Sequence, residues 1–446
     1  MRSFNEIHER NERDLRELLE RAAERKGDTS DTGKLGRFYA ACMSEPAVEA
    51  SGTKPIAPLL SAIEAYRDSK QLGALLVQLH KHGVWALFDV STGQDFRDAT
   101  KMIGMLDQSG LGLPDRDYYL SDDADKKSIP EAYVAHVEKM LVLGGFDARR
   151  AKAASVDVLR IETELAKASK SREERRDPSG MYNKIDRGGL EKTTPVIAWK
   201  AYFEGLGAPD LADLSVTAPK FFEEVDALAK REKAPAMRNY LAWMVLHHTA
   251  PLLGKALDDE HFELTKRLTG QKVKQERYKR CIAATDSALG ELLAKPFVDL
   301  RFAGESKAAA ESYVREIARA MGLLIGELDW MDDATRDKAQ QKLRSMAYLI
   351  GYPSKWKTYD FEVGDAYVDN ALRARAHELA RQLAKVGKPV DRDELRAIVQ
   401  RAEAATTSSR LSSQAPEPPM RSPSLTCVGT SRSSSALVMN SGARSR

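Results

Sequence analysis

Apolar side chains recur at helical spacing along almost the whole of this chain and alternate at period two in only two short places. Residues three and four apart share a face of a helix, and residues two apart share a face of a strand, so the pattern predicts a mainly α protein. Ser3 and Glu6 stand at capping-box spacing, with Leu15, Leu18, Leu19 and Ala22 following on one face. A second helix carries Leu35, Phe38, Tyr39 and Cys42, and Gly52, Pro55 and Pro58 mark the turn after it. Helix is predicted over 56–79 with a break near Gly73, and again over 130–143, 151–175, 219–230, 235–249, 276–293 and 307–328. The strand candidates are 84–90 and 100–106, joined as one hairpin by a turn at Gly93-Gln94-Asp95. The loop 110–117 reads as a tight surface feature.

Between Glu327 and Tyr359 the signals are densest. Asp332 or Asp333 is placed to cap a helix, Ala339, Leu343, Met346 and Ile350 give it one apolar face, and Gly351 and Pro353 end it. Trp330-Met331-Asp332 before this helix, and Ile350-Gly351-Tyr352-Pro353 with Trp356 and Tyr359 after it, resemble the neprilysin and endothelin-converting-enzyme family of zinc metalloendopeptidases. Phe38-Tyr39-Ala40-Ala41-Cys42-Met43, Leu111-Gly112-Leu113-Pro114-Asp115-Arg116-Asp117-Tyr118-Tyr119, Arg176-Asp177-Pro178 and Arg301-Phe302-Ala303-Gly304-Glu305-Ser306 resemble further words of that family in the same order. The resemblance runs from about residue 3 to residue 394 and stops there.

It implies a multi-helix lid-type domain with one small β-hairpin over 1–245, then helices over 246–394 that lead into a zinc-peptidase domain missing from this sequence. Residues 395–446 match nothing in the family and, rich in Ser, Arg and Pro, are expected to be disordered. Val390-Asp391-Arg392-Asp393-Glu394 resembles a family word that continues into Trp, but Leu395 stands there, so a shifted reading frame is favoured over a regulatory tail. At the other end Met1 sits almost on the first matched residues, which predicts truncation at both ends.

Three cysteines, Cys42, Cys281 and Cys427, lie far apart with no C-x-x-C spacing, and by sequence alone the default is buried free thiols. The resemblance instead implies that Cys42 and Cys281 are paired, which requires an oxidising compartment. Complete family members are mostly exported or membrane-anchored, yet the amino end here is charged (Arg2, Glu6, Glu9, Arg10), without a signal peptide or an apolar run of about 20 residues. The compartment is therefore left open. With 69 basic and 66 acidic residues in 446, no broad field recruits nucleic acid.

The family's chemistry needs zinc held by two His one helical turn apart, as in H-E-x-x-H, with the Glu as general base and a distant carboxylate as third ligand. His8-Glu9 is followed at the second His position by Glu12, and His377-Glu378 by Arg381. Both are half-motifs, and His377 with Glu378 reads as a helix surface pair. His80 and His82 read as solvent-facing, His247 and His248 as pointing apart, and His136 and His261 have no ligand-like neighbour at useful spacing. The family's remaining catalytic words belong after residue 394 and are absent. No catalytic or metal residue is therefore assigned, no cofactor is expected in this chain, and zinc and peptide substrates belong to the complete family member. The run 170–177 reads as a solvated helix end laced with near-neighbour ion pairs, with an anion site as the lesser reading. Two functions remain: the amino-terminal part of a neprilysin-like zinc metalloendopeptidase, inactive by itself, or a free-standing helical module that binds peptides or proteins.

Overall fold

The computed structural model describes residues 2–390 except 122, 123, 349 and 354, and the expected tail lies outside the described residues. Two compact units result. The first is built from Met1–Leu268, Lys272–Ala294 and Lys357–Val390, and the described part of the second from Thr269–Gln271 and Lys295–Trp356. Among the described residues there are seventeen α-helices and one sheet of four strands.

The first unit is organised around the helix Ala234–Thr249, in which Met237, Tyr240, Leu241, Trp243, Met244, Val245 and Leu246 are all fully buried. A helix that is apolar all round belongs inside a core. The helices Ala57–Glu64, Ala124–Leu143 and Ala148–Ala168 pack around it. The helix Asp31–Met43 starts where Ser30 Oγ accepts from Gly33 N–H, and it buries Leu35, Phe38, Tyr39 and Cys42 as its periodicity predicts. The break expected near Gly73 falls instead at 65–68. There Asp68 accepts from Lys70 N–H and Gln71 accepts from Arg67 N–H, so side chains satisfy the backbone of a turn while Gly73 packs inside the next helix against Ile197.

The hairpin is present but shifted. Strands β1 (Phe88–Gln94) and β2 (Met102–Gln108) run antiparallel, from Phe88 opposite Gln108 to Gln94 opposite Met102. Two short strands extend it: β4 (Asp213–Val216) lies parallel to β2, and β3 (Lys184–Asp186) antiparallel to β4, giving the order β1-β2-β4-β3. Val84, Ala86 and Leu87 are all buried, so their apparent alternation does not separate two faces. Leu87 turns the chain with φ 66° while donating its N–H to Tyr240 Oη. Gly93 and Gln94, expected in the turn, pair within the hairpin, and Asp95 makes the turn by accepting from Arg97 N–H. Residues 387–390 return to this sheet, where Gly387 N–H donates to Met102 O and Val390 N–H to Thr100 O.

In the second unit Asp332 accepts from Thr335 N–H at 2.6 Å and caps the helix Asp333–Ser345. The helix ends six residues before Gly351, and its expected face is only part buried: Leu343 packs beside Gly322, while Met346 is exposed. The chain leaves the helix so that Tyr352 stacks on Trp356 and lies under the Lys307 ammonium. The neighbouring helix Ser306–Glu327 leaves Tyr313, Ile317, Met321 and Leu324 exposed by 73, 66, 50 and 60 %.

Candidate functional site

The side chain that most needs an explanation is Glu162, a carboxylate with no exposed surface on the helix Ala148–Ala168. Four donors converge on it: Tyr133 Oη at 2.7 Å, Tyr119 Oη at 2.8 Å, Trp243 Nε1 at 3.0 Å and Gly112 N–H at 3.2 Å. All four are neutral. Burial pushes the carboxyl up to about 7 while these donors pull it down. The signal was readable in part, because Glu162 falls on the buried stripe of Val158, Ile161 and Leu165. Its partners lie too far away in sequence to be guessed.

The network fixes the start of the loop 110–117: Gly110, Gly112 and Leu113 are buried, while Pro114 is exposed and Asp115, Arg116 and Asp117 are half-buried, so only the second part of the loop is the surface feature expected. Gly110 has φ +84°, and a Cβ there would lie 2.4 Å from Tyr240 Oη and 2.5 Å from Leu87 N. At Gly112 a Cβ would lie 2.0 Å from Tyr133 Oη, so only glycine lets the backbone reach Glu162.

Beside this loop opens a cleft of about 380 Å³, whose far wall is the charge run. That run is not a helix end, and beyond the attraction of Glu173 to Arg176 and Arg172 its close ion pairs reach outward. The helix stops at Ala168, Arg172 pairs with Asp115 in the loop, and Arg175 forms a two-pronged pair with Asp107 of β2 at 2.8 and 2.7 Å. Asp107 stands opposite Asp89 across the hairpin, and burial together with that like charge pushes Asp89 up to about 7.

The histidines are more buried than their spacing suggests. His80, expected at the surface, is fully enclosed: Nε2 lies 3.0 Å from Ala86 O and Nδ1 2.6 Å from Tyr202 Oη. A carbonyl only accepts, so Nε2 carries the proton and Nδ1 accepts from the phenol. His247 and His248 do not point apart; their rings meet edge to face, with centroids 5.3 Å apart. His247 also touches His261, and His136 donates from Nδ1 to Glu260 at 2.9 Å. His377 and Glu378, expected as a helix surface pair, are both half-buried, and His377 is not out in solvent. It packs against Tyr359 and Phe361, while Glu378 pairs with Arg381 and is held at about 2, its burial outweighed by that guanidinium.

Among the described residues, no group of three or more His, Cys, Asp or Glu side chains is disposed to hold a metal ion. The zinc implied by the resemblance thus finds no fitting ligand set there. Cys42 and Cys281 are bonded, with Cα atoms 5.7 Å apart. No helix among the described residues is long and apolar enough to cross a membrane.

His136 Nε2, His247 Nδ1 and His261 Nδ1 are buried without a partner, so a proton added to any of them finds no acceptor. Burial lowers His80, His248 and His261 to about 4 and His247 well below its ordinary value. A histidine lowered by folding leaves stability intact above its unfolded value near 6.5 and removes it as pH falls from there to its folded value. We expect the urea midpoint to drop between pH 6.5 and 4, with His80 alone contributing about 3 kcal/mol. His247→Phe is expected to flatten that acid limb; an unchanged limb would count against the cluster as its cause.

A sequence profile described as Peptidase family M13 matches residues 1–353. The human endothelin-converting enzyme-like 1 is 30 % identical over 421 residues, covering 86 % of this chain and 53 % of that protein. The endothelin-converting enzyme homolog of Locusta migratoria is 28 % identical over 421 residues, covering 87 % of this chain and 57 % of its own. The zinc metalloprotease Zmp1 of Mycobacterium tuberculosis, solved in an open state, superposes with a TM-score of 0.82 at 30 % identity, over 88 % of this chain and 61 % of that one. The chain spans about half the length of the relatives it matches.

Proposed function

Because this chain belongs to peptidase family M13, we propose that it is the amino-terminal part of a neprilysin-like zinc metalloendopeptidase, and that it shapes and covers a peptide-cleaving cavity without supplying the catalytic groups. In this reading residues 1–245 form the helical lid, and residues 246–394 lead toward a zinc-binding half that carries the ligands and the general base. Zinc, when held by that half, supplies the Lewis acid and the activated water for peptide-bond hydrolysis. This chain's own contribution is a rigid wall that limits access.

The observation that carries the proposal is the apolar stripe of Tyr313, Ile317, Met321 and Leu324. Spaced i, i+4, i+8 and i+11, these side chains form one face of a helix, and a face of that kind left in water is a docking surface or an aggregation liability. A separate catalytic half is the partner that the family membership points to. A free-standing module that stays monodisperse is expected to carry polar residues on such a face, which makes that reading the weaker one.

The test is a chimera in which residues 1–390 replace the matching segment of an active M13 peptidase. We expect this chain alone not to cleave a fluorogenic peptide with zinc present, and the chimera to cleave it. Ile317→Asp with Leu324→Asp should remove most of the chimera's turnover. Zinc-dependent cleavage by the chain alone, or a folded but inactive chimera, would overturn the proposal.

A further inference from the structure

We propose that the cleft between the loop 110–117 and the run 169–175 binds the free carboxy terminus of a peptide whose last side chain is apolar; the choice of a peptide rests on the reading above. Among the side chains lining the cleft, four are cations, Arg116, Lys170, Arg172 and Arg175, and one is an acid, Asp115. Acids near the cleft offset most of this charge. Asp107 occupies Arg175, Asp115 occupies Arg172, and Glu174 lies 3.9 Å from Arg116. Lys170 is the least paired of the four: its ammonium meets the carbonyl of Gly180, a neutral acceptor, and shares the more distant attraction of Glu174 with Arg116. A single carboxylate placed in the cleft would complete the pairing, and lysine or arginine bonds to carboxylates are roughly twice as strong as neutral ones.

The walls are set before any ligand arrives. Gln108 makes two bonds to the backbone of Lys170, accepting at 2.7 Å and donating at 3.1 Å to the carbonyl, and Arg116 donates to Ser169 O at 2.9 Å. Behind them Leu113 N–H donates to Tyr119 Oη, which in turn donates to Glu162, so the floor is tied to the core. Arg172 is the adaptable part, with 62 % of its side chain exposed. Leu111, Leu113 and Pro114 give an apolar surface beside the cations. A volume of about 380 Å³ suits one terminal residue and its carboxylate, and lies at the small end of ligand sites. Charge and apolar wall together select a terminal residue over a bare anion.

The test uses the full chain and a fluorescently labelled hexapeptide ending in Ala-Leu, made both as the free acid and as the amide, with binding followed by anisotropy. We expect the acid to bind at least about tenfold more tightly than the amide, the worth of one charge-assisted hydrogen bond. Lys170→Gln with Arg172→Gln should erase that difference, and Arg150→Gln, which removes one of the partners of Glu64 outside the cleft, should leave it intact. Equal binding of acid and amide, or an acid preference that survives the double substitution, would overturn the assignment. Binding here and turnover of the chimera are separate readouts, so either proposal can fail without the other.

Discussion

Replacing Glu162 with Ala is expected to lower the unfolding free energy of the first unit by about 3 to 5 kcal/mol, the range for stripping one partner from a buried charged network. The loss is that large because every group left behind is enclosed. Two phenols, an indole N–H and the Gly112 N–H lose their common acceptor, and each buried donor left unsatisfied costs about 1 to 3 kcal/mol unless water or a shift of the loop relieves it. Some relief is certain in the cavity of an alanine, which is why the expected total is below the sum. Urea denaturation followed by tryptophan fluorescence reads it directly, since Trp243 touches the network. The pH dependence gives a second handle. A carboxyl raised to about 7 by folding contributes stability that is full below its unfolded value near 4.5 and is lost as pH rises through about 7. Glu162→Gln should therefore remove a fall in stability between pH 4.5 and 7, a slope opposite in sign to that of the buried histidines. If Glu162→Ala unfolds at the wild-type midpoint, the network does not hold the loop.

The second large effect is expected at the disulfide. Cys42 and Cys281 are 239 residues apart in sequence, and closing so long a loop in the unfolded chain is worth about 5 kcal/mol in the chain-entropy model. Cys42→Ser with Cys281→Ser should lower the urea midpoint correspondingly and raise the denaturant slope, because the unlinked chain exposes more surface when unfolded. The folded arrangement should persist at low denaturant. Arg277 donates from Nε and Nη2 to Cys42 O at 2.9 and 2.6 Å, tying the same two helices without the sulfurs. Equal midpoints for the bonded and the Ser variant would mean that strain or residual structure cancels the gain. Both sulfurs sit on nearly fully buried residues, so mild reductant should act slowly on the native chain.

What the sequence made legible was set by how local each signal is. Helices such as Ala234–Thr249 and Pro219–Arg231 announce themselves within a dozen residues through apolar spacing and an early Pro, and they stand within a residue or two of the expected bounds. The Asp332 cap is equally local. The 84–90 segment misled because alternation carries information only when one face meets water, and here both are covered. The start of the loop 110–117 misled for a related reason. Its glycines and proline are turn residues wherever the turn lies, and what pulls this one inside is a carboxylate 50 residues later with aromatics contributed by two other helices. The histidines at 136, 247 and 261 meet only in the fold. The charge run was legible as charge, but its partners Asp107 and Asp115 were not, since ion pairs between segments leave no period to read.

The way the first unit is assembled also sets a timetable for its making. Its residues come from three stretches, the last of which, Lys357–Val390, supplies the helix Tyr367–Leu383, the Tyr367 ring against Phe38, and the bonds that finish the beginning of β2. A chain leaving the ribosome has made most of this core once Ala294 emerges, yet it must then thread out the whole of Lys295–Trp356 before the final pieces arrive. At the usual pace of synthesis, about 5 to 20 residues per second, that wait is roughly 3 to 12 s. During it the faces that Tyr367, Val368 and Leu372 later cover stay open to water and to other nascent chains. A chaperone that engages between these two points would act on a nearly complete body with one seam unsewn.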